Sequence, residues 1–166
     1  MKAILSNNML LEMALEESLK AKGKVFPNPF VSALIIKEGK IIGKGFHNAL
    51  GEKHAEKLVL DKLKEKARGA KMIVTLEPCN FKGRQPACSK EIIKRGIKEL
   101  VYLSKDKNPR VNGKGIKELK EKGIKVKQIK NKKLQRIFDE INAPFNKFIK
   151  TRKPYVILKS SMSKDG

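Results

Sequence analysis

Apolar residues along this chain fall into short continuous runs, separated by segments in which they recur every three or four positions. The continuous runs predict buried strands, and the spaced positions predict amphipathic helices. Glu38-Gly39-Lys40 is a turn signal between two runs, so the first two strands are predicted to form a hairpin. The predicted strands are 30–37, 41–47, 71–76, 99–103 and 125–129.

Helices are predicted before, between and after these strands. Ser6 is placed to cap the first helix, and Gly123 ends a short later one. Pro144 is expected to kink the last helix, because proline lacks the backbone N–H that a helix interior uses. The predicted helices are 7–21, one beginning near Ala55, 88–95, 116–122 and 132–149. This alternation is typical of a layered α/β domain with a mostly parallel sheet.

Size and cysteine content indicate one domain in a reducing compartment. With 166 residues, of which 40% are apolar, the chain can bury one sizeable core. No apolar run approaches the roughly 20 residues that span a bilayer, so no membrane association is expected. The first residues lack the apolar core and cleavage site of a signal peptide. Two cysteines without a secretory signal predict a cytoplasmic protein.

The net charge of +22 suggests a nucleic-acid partner, but the residue types argue against specific binding. Only six of the 39 basic residues are Arg, the preferred reader of bases and phosphates. The lysines are scattered through every segment, and two Tyr and no Trp are available for stacking on bases. A compositional bias toward Lys explains the charge at least as well, so no specific nucleic-acid partner is expected.

Four residues carry the candidate chemistry. His54, Cys79 and Cys88 are one imidazole and two thiols, and a catalytic zinc ion takes three such ligands and keeps a fourth position for water. Glu56 is then left as an acid/base group. The order His-x-Glu followed by Pro-Cys is the signature of zinc-dependent nucleobase deaminases, in which the Glu is not a ligand.

The spacing of these residues is compatible with one site. His54 and Glu56 are two residues apart, so they converge only if both lie in the first turn of a helix whose end faces the site. Cys88 opens another predicted helix, and a helix N-terminus is expected to favour its thiolate. Taken singly, His54 is a candidate structural histidine, and each Cys a small core residue or half of a disulfide. The four residues together favour the zinc site.

Several stretches resemble the deaminase half of the bifunctional riboflavin-biosynthesis deaminase/reductase, and the resemblance covers nearly the whole chain. Eight residues separate Cys79 from Cys88, as in that family, whereas many other nucleobase deaminases place the second Cys three residues after the first. The stretches are Pro27-Asn28-Pro29-Phe30-Val31, Gly45-Phe46-His47, His54-Ala55-Glu56, Ala67-Arg68-Gly69-Ala70, Val74 to Cys79, Gly83-Arg84, Pro86-Ala87-Cys88, Asp106 with Asn108-Pro109, and Gly113-Lys114-Gly115.

The resemblance implies a three-layer α/β/α, cytidine deaminase-like fold with a five-stranded mixed sheet. It also implies zinc-dependent hydrolytic deamination of 2,5-diamino-6-ribosylamino-4(3H)-pyrimidinone 5′-phosphate, with Glu56 as the catalytic residue. The implied substrate contacts are Asn28, His47, Arg84, Asp106 and Asn108. Read without the resemblance, the two Asn residues are turn formers before Pro, and His47 caps a strand end.

The sequence departs from the family pattern at three positions. Phe81 replaces a usual His, Ser32 a common Gly, and Lys107 a usual Pro. These changes are expected to alter substrate fit or rate without removing the zinc chemistry.

Residues 1–150 are expected to form the deaminase domain, and 151–166 resemble the linker and first strand of the family's reductase domain. Sixteen residues cannot form a nucleotide-binding domain, so no reductase activity is expected from this chain. A separate reductase chain and a homo-oligomer are the expected partners. The alternatives are a tRNA deaminase, suggested by the charge, and a non-catalytic scaffold subunit, suggested by Phe81.

Overall fold

A computed structural model describes residues 5–81 and 86–163. Five strands form one sheet in the order β2-β1-β3-β4-β5. Their bounds agree with the predicted strands to within two residues at each end. The strands are β1 (Ser32–Lys37), β2 (Lys40–Phe46), β3 (Lys71–Leu76), β4 (Glu99–Ser104) and β5 (Lys125–Gln128).

The helices lie where the apolar spacing predicts them, with one exception near the C-terminus. They are α1 (Asn7–Ser18), α2 (Ala55–Leu63), α3 (Cys88–Lys94), α4 (Lys114–Glu121), α5 (Lys132–Ile141) and α6 (Ala143–Thr151), with 3₁₀ turns at Leu19–Ala21 and Lys64–Ala67. The Ser6 side chain accepts the Met9 N–H at the start of α1, which confirms the predicted cap. None of the helices in the described part of the chain is long and apolar enough to cross a membrane.

The sheet is mixed. β1 pairs antiparallel with both β2 and β3, whereas β3, β4 and β5 run parallel. The tight β1–β2 turn has positive φ at both Glu38 and Gly39, the conformation that matches the twist of a two-residue hairpin. The mostly parallel sheet expected from the strand–helix alternation is therefore wrong, and the mixed sheet implied by the family resemblance is confirmed.

Two apolar clusters fill the two faces of the sheet. Because side chains alternate between faces along a strand, Ile73 and Val101 point to one side and Met72 and Leu100 to the other. The first side packs on α1 and α5, and the second packs on α2, α3 and α4. This is the predicted three-layer α/β/α arrangement.

The long final helix predicted over 132–149 is wrong, because it is interrupted at Asn142. The buried Asn142 side chain accepts the Phe30 N–H at 2.7 Å and donates to the Phe138 carbonyl at 3.1 Å. Pro144 is the second residue of α6, where its missing N–H costs nothing. The break ties the end of α5 to the segment that precedes β1.

Candidate active site

The candidate site is a cleft at the carboxyl ends of β3 and β4, beside the N-termini of α2 and α3. Glu77, Pro78 and Cys79 directly follow β3, and the loop that holds Asp106 and Asn108 follows β4. The cleft has a volume of about 190 Å³. Its polar lining residues are Asn28, His47, His54, Glu56, Glu77, Cys79, Asp106 and Asn108, and its apolar lining includes Phe81 and Phe145.

His54, Cys79 and Cys88 come together as the sequence predicts. The His54 Nδ1 atom lies 3.2 Å from the Cys88 Sγ and 3.6 Å from the Cys79 Sγ, and the three donor atoms lie within 4.8 Å of one another. Donors around a tetrahedral zinc ion with Zn–N and Zn–S bonds of about 2.0–2.3 Å are separated by roughly 3.5 Å. One nitrogen and two sulfur donors at these separations fit zinc, with a fourth position left for water.

The first turn of α2 carries both residues of the His-x-Glu motif. His54 is the N-cap of α2, and Glu56 is its second residue, so the two-residue spacing converges at the helix end as expected. Glu56 is 3% exposed, and burial raises the pKa of its carboxyl, while a hydrogen bond with the Cys88 thiol opposes that rise. A buried carboxyl beside the donor set, and outside it, is suited to holding and passing a proton.

Of the two thiols, Cys79 and not Cys88 has the lowered pKa, contrary to the expectation from the helix start. Hydrogen bonds from the Cys88 thiol and from His54 lower the pKa of Cys79 to about 4. The first N–H of α3, that of Cys88, also points to the Cys79 Sγ at 3.5 Å. The hydrogen bond to Cys79 and burial raise the pKa of Cys88. The N-terminus of α3 therefore contributes to the lowered pKa of Cys79.

The same hydrogen bond with Cys79 raises the pKa of His54 to about 9. A histidine that binds a metal through Nδ1 must give up the proton on that atom. Zinc binding to this set therefore releases protons.

Asn28 and His47 form a pair at the rim of the cleft. The His47 Nδ1 lies 3.2 Å from the Lys53 carbonyl oxygen, which only accepts, so Nδ1 carries the proton. The Nε2 atom then accepts from the Asn28 amide nitrogen at 3.0 Å, which leaves the Asn28 oxygen to accept from other groups. His47 is 4% exposed, and burial lowers its pKa. Its ring holds the orientation of the Asn28 amide.

Asp106 and Asn108 both line the cleft and also shape their own loop. The Asp106 carboxylate accepts the Asn108 N–H at 2.8 Å, and the Asn108 side chain accepts the Arg110 N–H at 3.1 Å. The turn-forming role considered for Asn108 is therefore present beside its place in the cleft. Burial raises the pKa of Asp106 to about 6, and the nearby Glu77 charge adds to the rise. Arg84 lies outside the described residues.

Of the three departures from the family pattern, only Phe81 lies at the cleft. Its ring is covered by the Arg110 guanidinium, 5.1 Å from the ring centroid. Ser32 is buried between the sheet and α1, where its hydroxyl donates to the Ala14 carbonyl. Lys107 pairs with Asp139 of α5 at 2.6 Å. Ser32 and Lys107 thus have structural partners and do not line the cleft.

Glu77 is the polar lining residue to which the sequence analysis assigns no role. The available signal is its position between the predicted strand 71–76 and the candidate ligand Cys79. In the structure Glu77 is 3% exposed.

The three-layer fold and the His-Cys-Cys donor set define the class of zinc-dependent nucleobase deaminases. Residues 6–104 match the model of the cytidine and deoxycytidylate deaminase zinc-binding region. The chain therefore belongs to that family.

Within the family, the chain is similar to proteins of riboflavin biosynthesis. It is 42% identical to the riboflavin biosynthesis protein RibD of Aquifex aeolicus over 94% of this chain and 43% of the relative. It is 48% identical to the diaminohydroxyphosphoribosylamino-pyrimidine deaminase of Buchnera aphidicola over 61% of this chain and 69% of that protein. A solved structure of Acinetobacter baumannii RibD superposes with a TM-score of 0.82 at 36% identity, covering 90% of this chain and 41% of that one. The chain thus spans less than half the length of its RibD relatives.

Proposed function

We propose that this chain hydrolyses 2,5-diamino-6-ribosylamino-4(3H)-pyrimidinone 5′-phosphate to 5-amino-6-ribosylaminouracil 5′-phosphate and ammonia. The observation that carries the proposal is the convergence of His54, Cys79 and Cys88 with a buried Glu56 in one cleft. The name of the Buchnera aphidicola relative, of which the chain covers 69%, supports the substrate. Intact donors and a spare buried carboxyl speak against a non-catalytic scaffold.

The reaction replaces the C2 amino group of the pyrimidine by an oxygen atom from water. His54, Cys79 and Cys88 would hold the zinc ion, which would supply Lewis-acid activation of that water near neutral pH. Glu56 takes one proton from the water and gives it to the ring nitrogen as the hydroxyl bonds to C2. It then takes the proton of that hydroxyl and gives it to the amine, so that ammonia leaves and a carbonyl remains at C2. The burial that raises the pKa of Glu56 makes the carboxyl a better proton acceptor than an exposed one.

The remaining polar residues of the cleft would orient the pyrimidine. His47 holds the Asn28 amide so that its oxygen can accept from a ring N–H or an amino group. Asp106 and Asn108 face the cleft from the opposite loop, and Arg84 keeps the phosphate or polar-ring contact that the family resemblance implies. A cleft of about 190 Å³ is smaller than the range typical for whole drug-sized ligands, so the base enters and the sugar phosphate extends toward the mouth.

A product assay tests the reaction. Zinc-loaded protein is mixed with the diaminopyrimidine nucleotide, with dCMP or with cytidine, and ammonia release and the mass of the product are followed. Ammonia from the diaminopyrimidine nucleotide alone, with a product one mass unit heavier, is expected. Turnover of dCMP or cytidine in its place would contradict the assigned substrate.

Nucleic acid is not part of this proposal, in spite of the charge of +22. We expect tRNA to bind weakly and without sequence preference, because scattered Lys residues contact phosphates and release counterions. In gel shifts, binding at about 50 mM salt is expected to be lost by about 200 mM. Salt-resistant, sequence-selective binding, or deamination of a tRNA adenosine, would favour the tRNA deaminase.

The proposal extends to location and partners. We propose a cytoplasmic homo-oligomer that works with a separate reductase chain, and a deaminase domain at 1–150 followed by a connector at 151–166. Two observations support the connector. Residues 153–163 form neither helix nor strand, and the connector places large apolar side chains in solvent, with Leu158 92% exposed.

Removal of residues 153–166 is expected to leave deaminase activity and melting temperature nearly unchanged while reducing self-association. The apolar side chains of 155–158 are exposed, and exposed apolar patches promote association. Sedimentation velocity of the full chain, the shortened chain and the double variant Ile157→Ser/Leu158→Ser measures this, and the last two should behave alike. A large drop in the melting temperature of the shortened monomer would show that the connector is part of the core.

A further inference from the structure

Glu77 occupies the junction between the metal-ligand segment and the loop after β4. It follows β3 directly and precedes Cys79 by two residues. Its N–H donates to the Ser104 carbonyl at 3.0 Å, which continues the parallel β3–β4 pairing by one step. The sheet therefore fixes the backbone of Glu77, and with it the position from which the side chain extends.

The Glu77 carboxylate spans the loop 105–113. One oxygen accepts the Asp106 N–H at 2.7 Å, and the other accepts the Gly113 N–H at 2.7 Å. Both distances lie at the short end for hydrogen bonds to a charged acceptor. Within residues 5–81 and 86–163, Glu77 forms no ion pair with a basic side chain. The two loop amides are the main groups that compensate its burial, and the nearby charge of Lys105 adds to them.

The far end of the same loop packs tightly on the ligand segment. Gly113 has a φ of 82° and starts α4, and a Cβ at Gly115 would collide with the Pro78 carbonyl oxygen. At the near end, Asp106 holds the Asn108 N–H. Displacing the Glu77 carboxylate would thus release Asp106 and Asn108 together while the β3 backbone stays in place.

We propose that Glu77 is a positioning residue that sets substrate affinity by holding Asp106 and Asn108 against the cleft through their loop. In this role it acts through the loop and not as a member of the donor set. The inference rests on the proposed deaminase function, in which Asp106 and Asn108 bind the substrate.

Glu77→Gln in the full zinc-loaded chain tests the proposal. Gln keeps the shape, but its amide nitrogen faces one of the two loop N–H groups, so one hydrogen bond is lost and a buried donor is left unpaired. We expect KM to rise by about tenfold or more. We expect kcat to change by no more than about threefold, with zinc content unchanged.

A control and a double-mutant cycle separate positioning from general destabilisation. Glu118→Gln alters another glutamate, which accepts the Ser89 hydroxyl at 2.6 Å away from the cleft, and it should leave KM unchanged. In an Asp106→Ala background, Glu77→Gln should add less than about twofold to KM, because the contact it positions is already gone. The proposal would be overturned if the KM increases of Asp106→Ala and Glu77→Gln multiplied in the double variant. It would also be overturned if Glu77→Gln alone left KM unchanged. Loss of zinc with activity following metal content would also overturn it.

Hydrogen exchange of the wild-type chain tests the same contacts without depending on whether a variant folds. The Asp106 and Gly113 amides are expected to be protected, although both lie in a loop, and exchange at the rate of free peptide would contradict their capture by Glu77. If the wild-type chain released no ammonia from the diaminopyrimidine nucleotide, the proposed function would be wrong. The exchange measurement would still show whether Glu77 holds the two amides. An active wild type with an unaffected Glu77→Gln variant would overturn the inference alone.

Discussion

Glu56→Gln is expected to lower kcat by about 10²–10⁴-fold while the protein keeps its zinc. Glu56 lies in the first turn of α2, is 3% exposed, and stands outside the group formed by His54, Cys79 and Cys88. Gln matches the shape of the side chain but cannot take a proton from water or return it to the departing amine. The rate of ammonia release and the zinc content per chain are measured on the same preparation.

Glu65→Gln is the matched control for that change. Glu65 lies beyond the same helix, its side chain is 77% exposed, and its partner is the exposed Arg68, so activity should be unaffected. If Glu56→Gln lost zinc and turnover simply followed the remaining metal, Glu56 would be a ligand and its acid/base role would be wrong.

The parts of the fold and site that are local in sequence could be predicted from it. The predicted strand 71–76 agrees with the structure at both ends, because Gly69 and Pro78 limit this mainly apolar run on either side. The convergence of His54 and Glu56 also depends only on a helix starting at Ala55. The donor set was predictable because few chemistries use His, Cys and Cys beside a spare carboxylate.

Features decided by distant contacts could not be predicted. The placement of β1 between β2 and β3, antiparallel to both, depends on how the hairpin meets the rest of the sheet. The break between α5 and α6 depends on Asn142 binding Phe30, which lies 112 residues away. The pKa of Cys79 is lowered because the Cys88 thiol, His54 and the first N–H of α3 all point at its sulfur, which spacing alone does not reveal.

The residues expected to contact the substrate could be predicted only in part. The family resemblance implies contacts from Asn28, His47, Asp106 and Asn108, and the structure places all four in the lining of the cleft. The His47 ring binds the Asn28 amide through a tautomer that the Lys53 carbonyl selects. A hydrogen-bond chain of this kind combines residues from separate loops, so no single stretch of sequence encodes it.

Cys88→Ala is expected to abolish zinc binding and deaminase activity and to destabilise the fold. Cys88 is buried at the start of α3, and its sulfur lies 3.2 Å from the His54 Nδ1, so its loss leaves only two of the three donors. Metal that binds only the folded state adds about 3–4 kcal/mol when its concentration is 100–1,000 times the dissociation constant. For a domain of this size the loss of that term lowers the melting temperature by roughly 10 °C. Zinc content and thermal unfolding are measured with and without added zinc.

Ser89→Ala separates the loss of the metal from damage to α3. Ser89 is buried next to Cys88 in the same helical turn, and its hydroxyl donates to Glu118 at 2.6 Å, so the change costs about 1 kcal/mol without removing a donor. This variant should keep zinc and activity. It should be only slightly less stable than the wild type. Chelator treatment should lower the melting temperature of the wild type to near that of Cys88→Ala and leave the melting temperature of Cys88→Ala unchanged. A wild-type chain that stays equally stable and active after zinc is removed would show that the His54, Cys79 and Cys88 group does not hold the catalytic metal.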